Sequence, residues 1–298
     1  MSDIVVVGDA GLDVLASHTG GVPNGGDNRA VVRTAIGGAG ANTAIWLAEL
    51  GNAPTLVARI GADLAGSQVR QRLDESGVRP VLSTDATAAT CCVVALIDES
   101  GERSMLADRG ASALLDAAEV TPAILAEARH LHLSGYVLLD PRSRRAGAEI
   151  LRAARGAGLT TSVDPQAAAL IQDASEFLEW VDGIDLLLPN EAELRALTGS
   201  AEPEHARALL VRVGAVVLTR GAAGACWIGP DGIVAVPAPS VTCVDSTGAG
   251  DAFDAGLLDA LAGEADSHSA LLAAVEVGSR AITHVGAQPL RTPATRTR

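Results

Sequence analysis

Seven residues, Asp245-Ser246-Thr247-Gly248-Ala249-Gly250-Asp251, place a carboxylate directly before the amphipathic run AFDAGLLDALAG. Small residues let a backbone come close to an anion. A helix N-terminus also presents unpaired N–H groups at the positive end of its dipole. The N–H groups of Ala249, Gly250 and Asp251 are candidates to cradle a phosphoryl group while its charge rearranges. A carboxylate in such a turn repels the anion. It makes chemical sense where Asp251 takes the proton of a hydroxyl as that oxygen attacks phosphorus. The plainer reading is a helix-capping acid after a tight glycine turn. Residue types alone leave both open.

Composition narrows what such a turn can serve. All 22 basic residues are Arg, and the chain has no Lys. That excludes a Gly-Lys-Ser/Thr phosphate loop, the strand lysine of protein kinases, Schiff-base chemistry and a pyridoxal-phosphate anchor. Phosphate must be held by Arg, backbone N–H groups, a helix N-terminus or metal. With 36 acidic residues the net charge is −14, the wrong sign for a general nucleic-acid or anionic-membrane binder. Aromatic residues are 2 % of the chain, too few for a base-stacking platform. Cys91, Cys92, Cys226 and Cys243 form no Cys-x-x-Cys pair and read as reduced, mostly buried thiols. The start MSDIVVVGD lacks a basic leader and no apolar run reaches about 18 residues, which predicts a cytoplasmic address.

The elements that must position the turn follow from periodicity. The chain has 298 residues, 48 % of them hydrophobic, enough for a large core. Buried-strand runs at 4–7, 54–61, 130–133, 160–163, 185–188 and 215–218 alternate with helical patterns at 43–51, 66–75, 142–155, 191–199, 252–263 and 268–285. That is the rhythm of a mainly parallel sheet with helices on both faces. An interruption at 12–35 and a hairpin signal at 90–107 break it and read as a small β lid, and another hairpin is predicted at 225–236. No linker-like composition appears, so residues 1–298 read as one domain. Ligands of open α/β sheets lie beyond the carboxyl ends of strands, which directs attention to Asp9, Asp13, Asp164, Asn190, Thr219 and Asp245. His130 and His132 share a strand face and read as packed, hydrogen-bonded groups. Arg103 and Arg109 flank the lid hairpin and read as surface charge or as a contact to substrate or a second copy. Arg142, Arg144 and Arg145 read as a solvated face.

Taken in order, these motifs resemble the ribokinase/PfkB family of carbohydrate and nucleoside kinases over nearly the whole chain. The family's DTxGAGD-x-F stands here as DSTGAGDAF at 245–253, and its GG-x-GAN-x-A as GGAGANTAIWLAELG at 37–51. Between them stand RIGADLAG, ESGV, GER, RGAS, VDP, PNEAE and TRGAAG, with a terminal GAQ. The resemblance implies a ribokinase-like three-layer α/β/α sandwich with a mainly parallel central sheet and a small β lid. It implies ATP-dependent phosphorylation of a primary hydroxyl on a sugar or sugar-like molecule.

Under that resemblance Asp251 would be the general base, and Gly248, Ala249 and Gly250 would complete the anion hole. Asp13, Gly38 and Asn42 would bind the acceptor, with Asp9 a weaker candidate. Thr219, Arg220, Gly221 and Gly224 would lie at the nucleotide. Asn190 and Glu193 match N-x-x-E and would organise Mg2+ through water. Asp245, Thr247, Ala281 and Gly286 match the K+ site of some members. The Ser that can complete it is Leu290 here, which weighs against K+ activation. Gln166-Ala167-Ala168 replaces the Asn and basic residue of sugar-phosphate kinases, which argues against a phosphorylated acceptor. Asp254 departs from the family pattern, and nothing in the sequence accounts for it. A nucleoside acceptor such as pseudouridine or adenosine is the second reading, and a non-catalytic sugar or nucleotide sensor the third. A Rossmann dehydrogenase fails for want of a G-x-G-x-x-G helix entry after the first strand. Small exposed sheets bury their faces in pairs, so a homodimer through the lid is also expected.

Overall fold

Ile4-Val5-Val6-Val7 is apolar on both faces, and the computed structural model, which describes residues 4–21, 25–99 and 103–290, covers both. In chain order the first half comprises β1 (Ile4–Val7), β2 (Gly11–His18), β3 (Ala30–Gly37), α1 (Ala39–Glu49), β4 (Thr55–Gly61), α2 (Leu64–Asp74), β5 (Arg79–Asp85), β6 (Cys91–Ile97), β7 (Arg103–Asp108) and α3 (Pro122–Ala126). Next come β8 (His130–Ser134), α4 (Tyr136–Leu139), α5 (Arg144–Gly156), β9 (Thr160–Asp164), α6 (Ala174–Trp180), β10 (Leu186–Leu187) and α7 (Glu191–Thr198). The chain closes with β11 (Ala215–Thr219), β12 (Ala225–Gly229), β13 (Gly232–Val236), α8 (Ala249–Ala262) and α9 (Ser267–Ala281).

The main sheet runs β13-β12-β11-β10-β9-β8-β1-β4-β5 and is parallel from β5 to β11, while β12 is antiparallel to both β11 and β13. Alternation along β1 divides the core. Val5 and Val7 pack with Leu131, Leu138, Ile150 and Phe177 on one face. Ile4 and Val6 pack with Ala44, Trp46, Val69 and Leu258 on the other. The strand period of two thus feeds two helical layers, which makes the sandwich. A second sheet, β3-β2-β6-β7, joins the two interruptions at the lid. The hairpin turn expected there reaches 100–102, which, with the Arg103 side chain, lies outside the described residues, as do 22–24 of the preceding loop.

Some expectations need correction. Helix α8 begins at Ala249, so Asp251 stands in its first turn instead of before it. Helix α9 stops at Ala281, not 285, where the Val244 and Asp245 N–H groups donate to the Ile282 carbonyl. Strand β10 keeps only two residues of the expected four. Strand β5, the short helices α3 and α4, and α6 were not foreseen. All four cysteines are free, and Cys243 is exposed. Arg144 is not merely solvated, since its guanidinium lies 4.1 Å over the Trp180 ring. Among the described residues no helix is long and apolar enough to cross a membrane.

Candidate active site

The site lies at the carboxyl ends of the strands, around the start of α8. Gly248 precedes that helix with φ of 73°, and a Cβ there would sit 2.6 Å from the Ala287 side chain. Only glycine tolerates both the left-handed backbone and that contact. No side chain caps the helix. Its first turn opens on a cleft of about 230 Å³ shared with Asp164, Gln166, Asn190, Glu193 and Thr219. Of the three N–H groups expected to cradle an anion, that of Ala249 donates to the Ser246 carbonyl at 3.3 Å, which leaves those of Gly250 and Asp251 as the anion-binding donors at the helix start.

Asp251 is buried, and its Oδ2 accepts a hydrogen bond from Asn42 Nδ2 at 2.8 Å. Burial pushes its pKa up to about 6, against the donors Asn42 and Gln166 and with the nearby charge of Asp13 adding to the rise. A carboxyl tuned toward neutrality is poised to take a proton at physiological pH. Asn42 stands in the first turn of α1. That turn is held against the segment that follows β1, because Ala41 N–H donates to the Asp9 carbonyl at 3.0 Å. Gly38 is required by the backbone itself: φ is 95° and a Cβ would lie 2.6 Å from the Asp9 carbonyl oxygen. Space for a ligand is therefore not the first reason for that glycine.

Asp13 sits on β2 of the lid sheet, half-buried, and burial pushes its carboxyl up to about 6. Gly37, next but one in the facing strand, leaves its room: a Cβ there would lie 2.0 Å from Asp13 Oδ2. Asp9 is already engaged. Its carboxylate pairs with Arg109, whose guanidinium also donates to the Tyr136 carbonyl and stacks 5.5 Å from the Tyr136 ring. Arg109 is thus an inward, neutralised cation and not surface charge. Burial holds the Asp9 carboxyl above its ordinary pKa even so.

The cleft's far side carries carboxyls that the sequence reading did not join. Gln166, held at a positive φ of 70°, donates from Nε2 to Asp164 at 2.8 Å and also hydrogen-bonds Asp251. Asp254, the unexplained departure, is buried one helical turn beyond Asp251, where the Asp164 charge acts on it. Burial and their mutual proximity hold both the Asp254 and the Asp164 carboxyls well above the ordinary carboxylate range. His132 lies 3.7 Å from Asp254 and bonds Ser162, which also receives His130. Burial depresses His132 to about 3, so this is a neutral packed chain, as the two histidines were expected to form. The signal for Gln166 was its place just past a strand end; for Asp254 it was the departure itself.

Asn190 and Glu193 form a closed capping box. Asn190 Oδ1 accepts from the Glu193 N–H at 2.9 Å, and Glu193 accepts from the Asn190 N–H and side chain at 2.9 and 2.7 Å. Glu193 is nonetheless buried at the cleft, with its carboxyl raised by burial. Thr219 bridges to Asn190 at the end of β11, while Arg220 pairs with Glu191 at 3.3 Å. Gly221 is exposed, and Gly224 is closed in by the Val236 carbonyl, 2.0 Å from where a Cβ would be. Asp245 ties two loops, accepting from Thr247 N–H and Oγ1 and from Gly286 N–H. Ala281 is buried at the end of α9, next to the Ile282 carbonyl that receives Asp245 N–H. Leu290 is 68 % exposed, and its side chain carries no hydroxyl. Among the described residues no group of three or more His, Cys, Asp or Glu is arranged to hold a metal ion.

A family model described as pfkB family carbohydrate kinase matches residues 1–294. The chain is 28 % identical to a fructokinase of Vibrio alginolyticus, across 96 % of this chain and 95 % of that one. It is 30 % identical to the aminoimidazole riboside kinase of Salmonella typhimurium, across 96 % and 91 % of the two chains. It superposes with a TM-score of 0.83 on a ribokinase-like protein of E. coli (ribokinase II) solved with ATP and Mg2+, at 25 % identity and across 96 % and 94 % of the chains.

Proposed function

The chain belongs to the pfkB family of carbohydrate kinases, and from that premise we propose that it moves the γ-phosphoryl group of ATP to a primary hydroxyl of a sugar or sugar-like acceptor. One observation carries the assignment of roles. A buried carboxyl, raised to about 6, sits in the first turn of an uncapped helix, 2.8 Å from the amide of Asn42. Asp251 takes the hydroxyl proton. The oxygen so freed attacks the γ-phosphorus, the bond to the β-phosphate oxygen breaks, and ADP leaves. The N–H groups of Gly250 and Asp251 receive the charge that develops on the transferred oxygens. Asp13 and Asn42 hold acceptor hydroxyls, while Asp9 orients Arg109 beneath them. Thr219, Gly221 and Gly224 shape the nucleotide side, and Arg220 stands at its rim.

Among the described residues no cluster of carboxylates holds a cation directly, so Glu193 and Asn190, which line the cleft beside Asp164, would hold Mg2+ through water. Mg2+ would neutralise charge on the polyphosphate, a task no Lys can share here. Asp245, with Thr247, Ala281 and Gly286, stands where K+ would bind, but the Leu290 side chain gives it no hydroxyl. The free thiols and the use of ATP suit a cytoplasmic address.

A nucleoside acceptor is the second reading, favoured by the likeness to an aminoimidazole riboside kinase. The lid also carries exposed Val31, Val32, Met105 and Leu106, a surface that a second copy would cover. Light scattering that gives only a ~30 kDa species at micromolar concentration removes that dimer. The acceptor is tested by coupled ADP release with Mg-ATP against sugars, sugar acids and nucleosides, with and without K+. One acceptor that raises turnover far above the ATP-only rate names the substrate. A panel that leaves the rate at the ATP-only level, with ATP bound, refutes the sugar reading and favours a sensor.

A further inference from the structure

Gln288 lies outside the residues given roles above, yet one hydrogen-bond chain runs through it to Asp251. Arg72 Nε on α2 donates to Gln288 Oε1 at 2.8 Å. Gln288 Nε2 donates to the Ile36 carbonyl at 2.7 Å and to Asn42 Oδ1 at 3.2 Å. Asn42 Nδ2 donates to Asp251 Oδ2 at 2.8 Å. An amide side chain can be turned over with little change of shape, so its orientation is decided by its neighbours. Here two of the neighbours have fixed polarity. A guanidinium only donates, and a backbone carbonyl only accepts. Arg72 and Ile36 therefore leave Gln288 one orientation. That orientation presents an N–H to Asn42, whose oxygen turns to meet it, and the Asn42 amino group is left facing Asp251.

We propose that Gln288 is a positioning residue that sets the polarity of Asn42 and so ensures that Asp251 faces a donor and not an acceptor. The inference rests on the kinase reading for its effect on turnover. The segment around it is fixed from several sides. Gly286 N–H donates to Asp245 Oδ2 at 2.9 Å, and the Ala287 carbonyl accepts from Trp46 Nε1 at 2.9 Å. Ala287 also packs on Gly248 at the start of α8. The segment 286–288 thus touches the turn, the helix that carries Asn42, and Asn42 itself. A donor facing a carboxylate favours its charged form, and an acceptor dipole in its place opposes it. The Gln166 side chain is a second donor to Asp251, and the titratable groups that face it are Asp13 on β2, Asp164 on β9, Asp254 on α8 and Tyr136 on α4. None of them is altered by a change at 288.

Two near-isosteric variants separate polarity from packing. Gln288→Glu still accepts from Arg72 but has no N–H for Asn42, so the Asn42 amide turns its amino group to residue 288 and its oxygen to Asp251. Gln288→Met adds no charge and leaves the Asn42 amide unlocked. For both, the acid limb of kcat/KM should move to higher pH, by about one unit for Gln288→Glu and less for Gln288→Met. The expected kcat at pH 7 is at least tenfold lower for Gln288→Glu, with KM for ATP within twofold. A packing role alone would leave the acid limb in place, and folded variants with an unmoved limb overturn the proposal.

A second readout does not depend on turnover. In the substrate-free wild type, the side-chain amide resonances of Asn42 and Gln288 should titrate with the midpoint of the Asp251 carboxyl, followed by carbon-13 NMR. Gln288 resonances that stay flat through that midpoint overturn the proposal, including where a 288 variant fails to fold. A wild-type protein that shows this coupled titration and phosphorylates no acceptor leaves the relay standing and removes the kinase reading instead.

Discussion

Asp251→Asn should make the protein more stable at neutral pH than at acid pH relative to wild type, while it slows phosphoryl transfer by roughly two to four orders of magnitude. The carboxyl titrates near 6 in the fold against an ordinary value of 3.8, mainly because burial opposes its charge. A group whose pKa is raised on folding lends its stability below the unfolded value and loses it as pH rises through the folded value. Wild type therefore gains from this group as pH falls from 8 toward 4. At pH 5 the folded carboxyl is mostly protonated and the unfolded one mostly is not. The gain there, relative to pH 8, is about 1.4 kcal/mol. Asn does not titrate, so the variant lacks that gain. The difference in unfolding free energy between the two proteins should change by that amount across the two pH values. Packing losses in the variant cancel from this comparison. With a urea slope of about 3 kcal/mol/M, the relative midpoint shift is ~0.5 M between pH 8 and pH 5. A difference that stays constant across the range would show that burial does not raise this carboxyl. Turnover should fall by roughly 10²–10⁴, the usual contribution of a positioned general base, with ATP still bound. Turnover within tenfold of wild type would remove the base assignment.

Gly37→Ala would put a Cβ 2.0 Å from Asp13 Oδ2. The backbone at Gly37 is ordinary, so the substitution tests space alone. KM for the acceptor should rise at least tenfold with KM for ATP within twofold, and an unchanged acceptor KM takes Asp13 out of the acceptor site. Arg109→Met leaves Asp9 buried without its cation and should cost about 3–5 kcal/mol of stability. Adding Asp9→Asn should restore a large part of it, and strictly additive losses in urea unfolding would mean that the pair does not interact.

The element order and the turn of small residues before α8 were legible because each depends on neighbours in sequence. Period-two apolar runs give strands, and a glycine run followed by an apolar helical face gives a helix start. What escaped depends on distant partners. Arg109 reads as surface charge until Asp9, brought from the other end of the lid, accepts its guanidinium. Asp254 is inexplicable beside Phe253 and intelligible beside Asp164. The overlong reading of α9 failed for a similar reason. Residues 282–285 continue an apolar pattern, but the Ile282 carbonyl is taken by the N–H groups of Val244 and Asp245. Asn190 shows the opposite case: its capping box is entirely local and could be read directly.

The topology divides the chain by the order in which it can fold. Strand β1 pairs with β8, Ile4 opposite His130, and β2 of the lid pairs with β6, Gly11 opposite Cys91. The lid sheet cannot close until β6 and β7 have been made, and β1 keeps one edge open until a nascent chain has delivered β8; such long-range pairings are slow to form. From β8 onward the sheet grows in sequence order, each of β9, β10, β11, β12 and β13 adding to the edge left by the one before. Synthesis of the amino-terminal half therefore passes through a stage of unpaired strand edges that is vulnerable to aggregation. The carboxy-terminal half closes as a zipper behind it.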